Sequence, residues 1–203
     1  TYCSPAYSTS CASFAMPTSI ANLTGVSGSI NDPSTTCGGT GANYQDKYAS
    51  TTVTLAAGSV YTANIGGNSY SGNYASQIWI DFNDDGTFSS AESIGGGTIT
   101  SSATSGANPM TLTIPSTAIN GTHRMRIVGN YWGCCGGNQF PNIAPCITTS
   151  VTYGETRDYK VVITGGAAAG APPCSSTPVA GITSAYSNFA CNPYTGYLFN
   201  TDM

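Results

Sequence analysis

Apolar and polar residues alternate along this chain in short runs with a period of two. The pattern is clearest where Ile78, Ile80 and Phe82 alternate with Trp79 and Asp81. It recurs where His123, Met125 and Ile127 alternate with Arg124, Arg126 and Val128. Such a period puts successive side chains on opposite faces of a strand. Strands are predicted over Thr51–Leu55, Val60–Ile65, Gln77–Phe82, Met110–Ile114, His123–Val128 and Tyr159–Thr164. Turn residues punctuate them at Ala56-Ala57-Gly58, Gly66-Gly67-Asn68 and Pro115. No stretch carries the period of an amphipathic helix, and Gly95-Gly96-Gly97 would break one. Short strands at this spacing predict an all-β fold, an antiparallel β-sandwich of jelly-roll or Ig-like type.

Composition divides the chain. Residues 1–164 have the length for one buried core. Residues 165–173, Gly, Ala and Pro only, read as a linker. Residues 174–203 are too few for a core of their own and are expected to form a disulfide-bridged extension through Cys174 and Cys191. Its tyrosines and phenylalanines suit docking, on its own domain or, as favoured here, on a neighbouring copy. Charge is scarce: 5 basic and 9 acidic residues give a net charge of −4, which argues against nucleic acid as a partner. There is no run of about 18 apolar residues, so no membrane span is expected. The 8 cysteines include no C-x-x-C pair, and His123 is the only histidine. Disulfides in an oxidising compartment, hence an extracellular or cell-surface location, are the expectation. Cys3–Cys11 and Cys37–Cys146 are plausible pairs. Adjacent Cys134 and Cys135 are expected to reach separate partners.

The acids concentrate at one place, Asp81 to Glu92 (D-F-N-D-D-G-T-F-S-S-A-E). The spacing is that of a twelve-residue calcium loop, with Asp81, Asn83, Asp85, Gly86 and Glu92 at positions 1, 3, 5, 6 and 12. A hard cation needs several oxygens about one point. Asp81, Asn83 and Asp85 supply them, Thr87 adds its backbone carbonyl, and Glu92 closes the sphere. The flanks are strand-like, so the predicted Ca²⁺ loop lies between strands. The alternative is an Asx-rich turn without metal.

Several segments, in order, resemble the GEVED domain of secreted bacterial surface proteins. They are Tyr2-Cys3, Tyr44-Gln45-Asp46-Lys47-Tyr48, Trp79 to Gly86, Arg124-Met125-Arg126 and Tyr153-Gly154-Glu155-Thr156-Arg157-Asp158-Tyr159. The resemblance spans residues 1–164 and implies a β-sandwich at the cell surface, without catalytic activity of its own. One departure is that Arg157 stands where the family motif has its second glutamate. Glu155 is kept as a second, weaker metal candidate. An ion pair of Glu155 or Asp158 with Arg124, Arg126 or Arg157 is the competing reading.

No Gly-x-Ser-x-Gly elbow is present, and His123 reads as a strand residue. The expected function is therefore non-catalytic: a secreted, calcium-stabilised, disulfide-bonded structural module. It would self-associate through its tail into an extracellular filament or adhesive layer. The alternative is a module binding cell-surface glycans through Tyr131-Trp132-Gly133, appended to a larger secreted protein or enzyme.

Overall fold

The computed structural model describes residues 1–14, 18–33, 37, 43–66, 73–99 and 108–168. The strands are β1 (Ser19–Thr24), β2 (Ser27–Ile30), β3 (Tyr44–Asp46), β4 (Thr52–Ala56) and β5 (Val60–Gly66). They continue with β6 (Tyr74–Ile80), β7 (Ser93–Ile99), β8 (Asn108–Thr113), β9 (Gly121–Tyr131) and β10 (Gly154–Thr164). Among the described residues, helix is confined to one turn, α1 (Cys11–Phe14), and a 3-10 turn at Ser90–Glu92. All six predicted strands are present, with β9 and β10 longer than their alternation alone suggested.

The expected sandwich does not form. Hydrogen bonding runs β10-β4-β2-β1-β5-β8-β7-β6-β9 and returns from β9 to β10, closing a barrel of nine strands. Closure comes from β10, whose pairing with β9 runs from Gly154↔Asn130 to Ile163↔Gly121. Its other edge takes β3 along Thr156–Asp158 and β4 along Lys160–Thr164. Both of these pairings are parallel, a second departure from the antiparallel expectation. Closing the ring removes the open edges that a sheet must otherwise protect.

The alternation decides what fills the barrel. Ile78, Ile80, Phe82, Met125, Ile127, Tyr159, Val161 and Ile163 lie in one interior cluster with Ile20, Leu23, Leu55 and Ile65. Burying each such aliphatic side chain contributes about 1.5–3 kcal/mol. The outward positions of β6 and β9 are also covered. Ala75, Trp79 and Val128 pack with Tyr7, Ile143, Ile147 and Val151 in a second cluster. Two segments supply the cover, the N-terminal strap and the 132–153 loop. They are zipped together by Ala6 N–H to Ile147 O (2.9 Å) and Ser8 N–H to Val151 O (3.0 Å). This explains why every residue of β6 is buried.

The described disulfides correct three expectations. Cys3 pairs with Cys146 and Cys11 with Cys37, so neither Cys3–Cys11 nor Cys37–Cys146 exists. The strap crosses the outer sheet instead of looping back, which carries Cys3 to within 6.1 Å of Cys146 (Cα–Cα). Cys134 and Cys135 bond each other, at a Cα–Cα spacing of 3.8 Å. Cys135 accommodates this with φ 67°, and Gly136 follows with φ 84°. Cys174, Cys191 and the expected docking segment lie outside the described residues. The first part of the predicted linker is anchored: Ala167 N–H donates to Ala118 O and Gly166 N–H to Asn120 Oδ1.

Candidate functional site

The acidic loop leaves β6 at Asp81, which is fully buried. Asp81 Oδ2 accepts from the Tyr2 hydroxyl (2.6 Å) and from Gly86 N–H (3.0 Å). Gly86 has φ 83°, and a Cβ there would stand 3.0 Å from the backbone nitrogen of Thr1. The turn residue and the strap are therefore packed on each other. Asp81 Oδ1 is buried with no hydrogen-bond partner. Such an oxygen costs about 1–3 kcal/mol unless a donor or cation meets it.

Asn83, Asp84, Asp85 and Thr87 are exposed, and this part of the loop is held by its own side chains. Asp85 N–H donates to Asn83 Oδ1 (3.2 Å), while Thr87 N–H and Oγ1 donate to Asp85 Oδ1 (2.8 and 2.6 Å). These Thr87 bonds, the hydroxyl first, hold the Asp85 carboxyl below its ordinary range. Asp84 takes a left-handed backbone, φ 55°, and its Oδ1 lies 3.1 Å from His123 Nδ1. The buried His123 ring reaches Ile119 O through Nε2 (2.9 Å). It is a core histidine fixing the loop to β9.

Glu92, expected to close a cation's sphere, is buried and already engaged. Its Oε1 accepts Phe82 N–H (3.1 Å), and its Oε2 accepts Ser89 N–H (2.7 Å) and Ser89 Oγ (2.9 Å). Among the described residues, no three His, Cys, Asp or Glu side chains are grouped so as to hold a metal ion. The loop thus brings Asp81, Asn83, Asp85 and Thr87 onto one bend and gives Glu92 the work of shaping it.

An ionic cluster lies beside the loop on the outer face. Asp158 is fully buried and forms a two-pronged pair with Arg126, Nε to Oδ1 at 2.7 Å and Nη2 to Oδ2 at 2.8 Å. Arg124 Nη1 reaches Asp158 (2.9 Å) and Asp46 (3.0 Å). Tyr44 donates to Asp158 Oδ2 (2.8 Å), and burial together with Asp158 pushes its hydroxyl up to about 12. Tyr2 and Tyr48 flank the Arg124 guanidinium at 4.9 and 4.6 Å. Arg126 also donates to Cys3 O, tying the strap to the sheet.

Glu155 and Arg157 point the other way, into the barrel end. Arg157 Nη2 donates to Glu155 Oε2 (2.9 Å) and Nη1 to Asp32 Oδ2 (2.8 Å). Tyr159 donates to Asp32, and Thr18 N–H and Gln45 donate to Glu155. Burial raises the Glu155 carboxyl above the usual carboxylate range, with Arg157 pulling against it. Glu155 is thus paired with Arg157 within its own strand, whereas the ion pair that competed with metal was expected across neighbouring strands. Asp32 escaped the sequence analysis because Asn31-Asp32-Pro33 reads as an ordinary turn.

Fold and site define a class: a closed, disulfide-stapled β-barrel module whose charged motif is consumed in its own architecture. Residues 75–162 match the family model of the GEVED domain. The match covers β6 through most of β10 and is shorter than the resemblance read from the sequence. Tyr2 and Tyr44-Gln45-Asp46 lie outside it, yet they meet its Asp81, Glu155, Asp158 and Arg124. No curated protein matches the chain. Among the described residues no helix is long and apolar enough to cross a membrane. The disulfides fit an oxidising, extracellular setting.

Proposed function

We propose that this chain is a non-catalytic extracellular structural module whose Asp81–Glu92 loop takes a calcium ion as a clamp. The observation that carries the reading is Asp81 Oδ1, a buried carboxylate oxygen without a donor at the first position of the loop. The candidate donors along the loop are all oxygens, as a hard cation requires. Asp81, Asn83, Asp85 and the Thr87 carbonyl would hold the ion, with Glu92 bracing Phe82 and Ser89 behind them. The ion would supply fixed positive charge where the loop meets the strap. The sparse surface charge supports self-association into a filament or layer, since little repulsion separates copies. Tail docking is tested by removing residues 165–203 and imaging for polymers; unchanged polymers reject it.

Calcium itself is tested by thermal unfolding with added calcium and with chelator. Extracellular sites bind at about 0.1–1 mM, and tenfold excess then adds about 1.4 kcal/mol. For a chain of this size that is about 3–5 °C. Asp81→Asn should abolish the shift; a wild-type melting temperature indifferent to both reagents rejects the clamp. The glycan reading has less support, because Trp132 is half-buried against the second apolar cluster.

A further inference from the structure

The disulfides of this protein differ in what they can do for the fold. Cys3–Cys146 and Cys11–Cys37 close chain separations of 143 and 26 residues. Cross-links of that kind remove conformations from the unfolded chain. Cys134–Cys135 closes a separation of 1, so it restrains almost nothing. Its stabilising value does not account for it.

Its setting differs as well. Both Cys134 and Cys135 are exposed, whereas Cys11 is buried and Cys3 Sγ sits 3.1 Å from Arg126 Nη1. The loop that presents the pair is held independently of the sulfurs. Thr152 N–H donates to Cys135 O (3.0 Å), Asn138 N–H to Asn130 Oδ1 (2.6 Å), and Asn130 Nδ2 to Asn138 O (3.0 Å). Gly136 lies flat against the Ser150 carbonyl, where a Cβ would stand at 2.0 Å. Opening the sulfur ring leaves these contacts in place. Cys135 holds a left-handed backbone, φ 67°.

We propose that Cys134–Cys135 is an exposed thiol-exchange site that small dithiols reduce selectively, leaving a vicinal dithiol able to chelate thiophilic trivalent arsenic. A dithiol's thiolate attacks one sulfur, and the other leaves as a thiolate and takes a proton. The reagent's second thiol then closes on its first, releasing a cyclic disulfide. Two electrons pass from reagent to protein, giving two free cysteines side by side on a fixed loop. With an organic arsenoxide, two S–As bonds form while the oxygen departs as water with both thiol protons. Exposure governs which disulfides exchange.

The test titrates the native chain with dithiothreitol, blocks thiols with iodoacetamide, and maps them by mass spectrometry. Cys134 and Cys135 should be labelled at a dithiothreitol concentration about tenfold below that needed for Cys3, Cys11, Cys37 and Cys146. Circular dichroism should be unchanged at that point. Phenylarsine oxide added to the partly reduced protein should appear on the peptide carrying Cys134 and Cys135. Equal or earlier labelling of the other four overturns the proposal, as does reduction only upon unfolding. An arsenical adduct found only on other peptides overturns the chelating half.

Discussion

Asp158 is buried between Arg126 and Arg124 and also receives the Tyr44 hydroxyl. Taking one charge from such a group leaves the other without its counter-ion in a region water does not reach. The cost is about 3–5 kcal/mol for a buried pair. Asp158→Asn should lower the urea-unfolding free energy by that order; a change within about 0.5 kcal/mol, the range of ordinary surface substitutions, would refute the role. The sequence reading foresees ion pairing here. It could not choose among the arginines, because that depends on the register Asp158↔Arg126. Asp32 was invisible because it lies in what reads as an ordinary turn and its partner Arg157 is far away along the chain.

Strands with one clean alternation were legible, and β4, β5, β6, β8, β9 and β10 were all expected. β7 was not, because its centre is Gly95-Gly96-Gly97, which offers no side-chain pattern. The structure supplies the reason for glycine. A Cβ on Gly95 would stand 2.2 Å from the Thr111 carbonyl of β8, and one on Gly96 2.4 Å from the Ser76 carbonyl of β6. Among the described residues the register joins β7 to β8 at Gly95↔Leu112, so the barrel is thinly joined at this seam. Gly95→Ala should force the two strands apart and cost about 1–3 kcal/mol, the usual penalty of overpacking. Thermal unfolding measures it, and an unchanged melting temperature would show that the seam yields freely. β1, β2 and β3 were not expected; β2 is Ser and Gly for most of its length and β3 is only three residues.

For the whole molecule, all-β character was readable and closure was not. Sandwich and barrel share the same strand pattern; they differ in whether the last strand finds the first half of the chain. Here β10 pairs in parallel with β4, and no local signal reports that. The charge inside the barrel end affects stability as a whole. Glu155 is raised by burial, so the folded chain binds its proton at a pH where the unfolded chain has lost it. That penalty is fully present above the raised folded value and is relieved as pH falls towards the ordinary glutamate value. Wild type should therefore gain on Glu155→Gln as the solution is acidified through that window. Denaturant titrations of both proteins across the range check the sign; a constant difference between them contradicts it.

The bond between Cys3 and Cys146 sets how the molecule bears tension. A pull applied between residues 1 and 168 runs along the strap to Cys3 and crosses the sulfurs to Cys146. It then continues through β10, which starts at Gly154. Residues 4–145 lie off that path and stay slack. β10 is gripped along both edges, by β9 on one side and by β3 and β4 on the other. Force along it therefore shears many hydrogen bonds together and does not unzip them singly. Most of the barrel hangs beside a short covalent tether and is shielded from stretching.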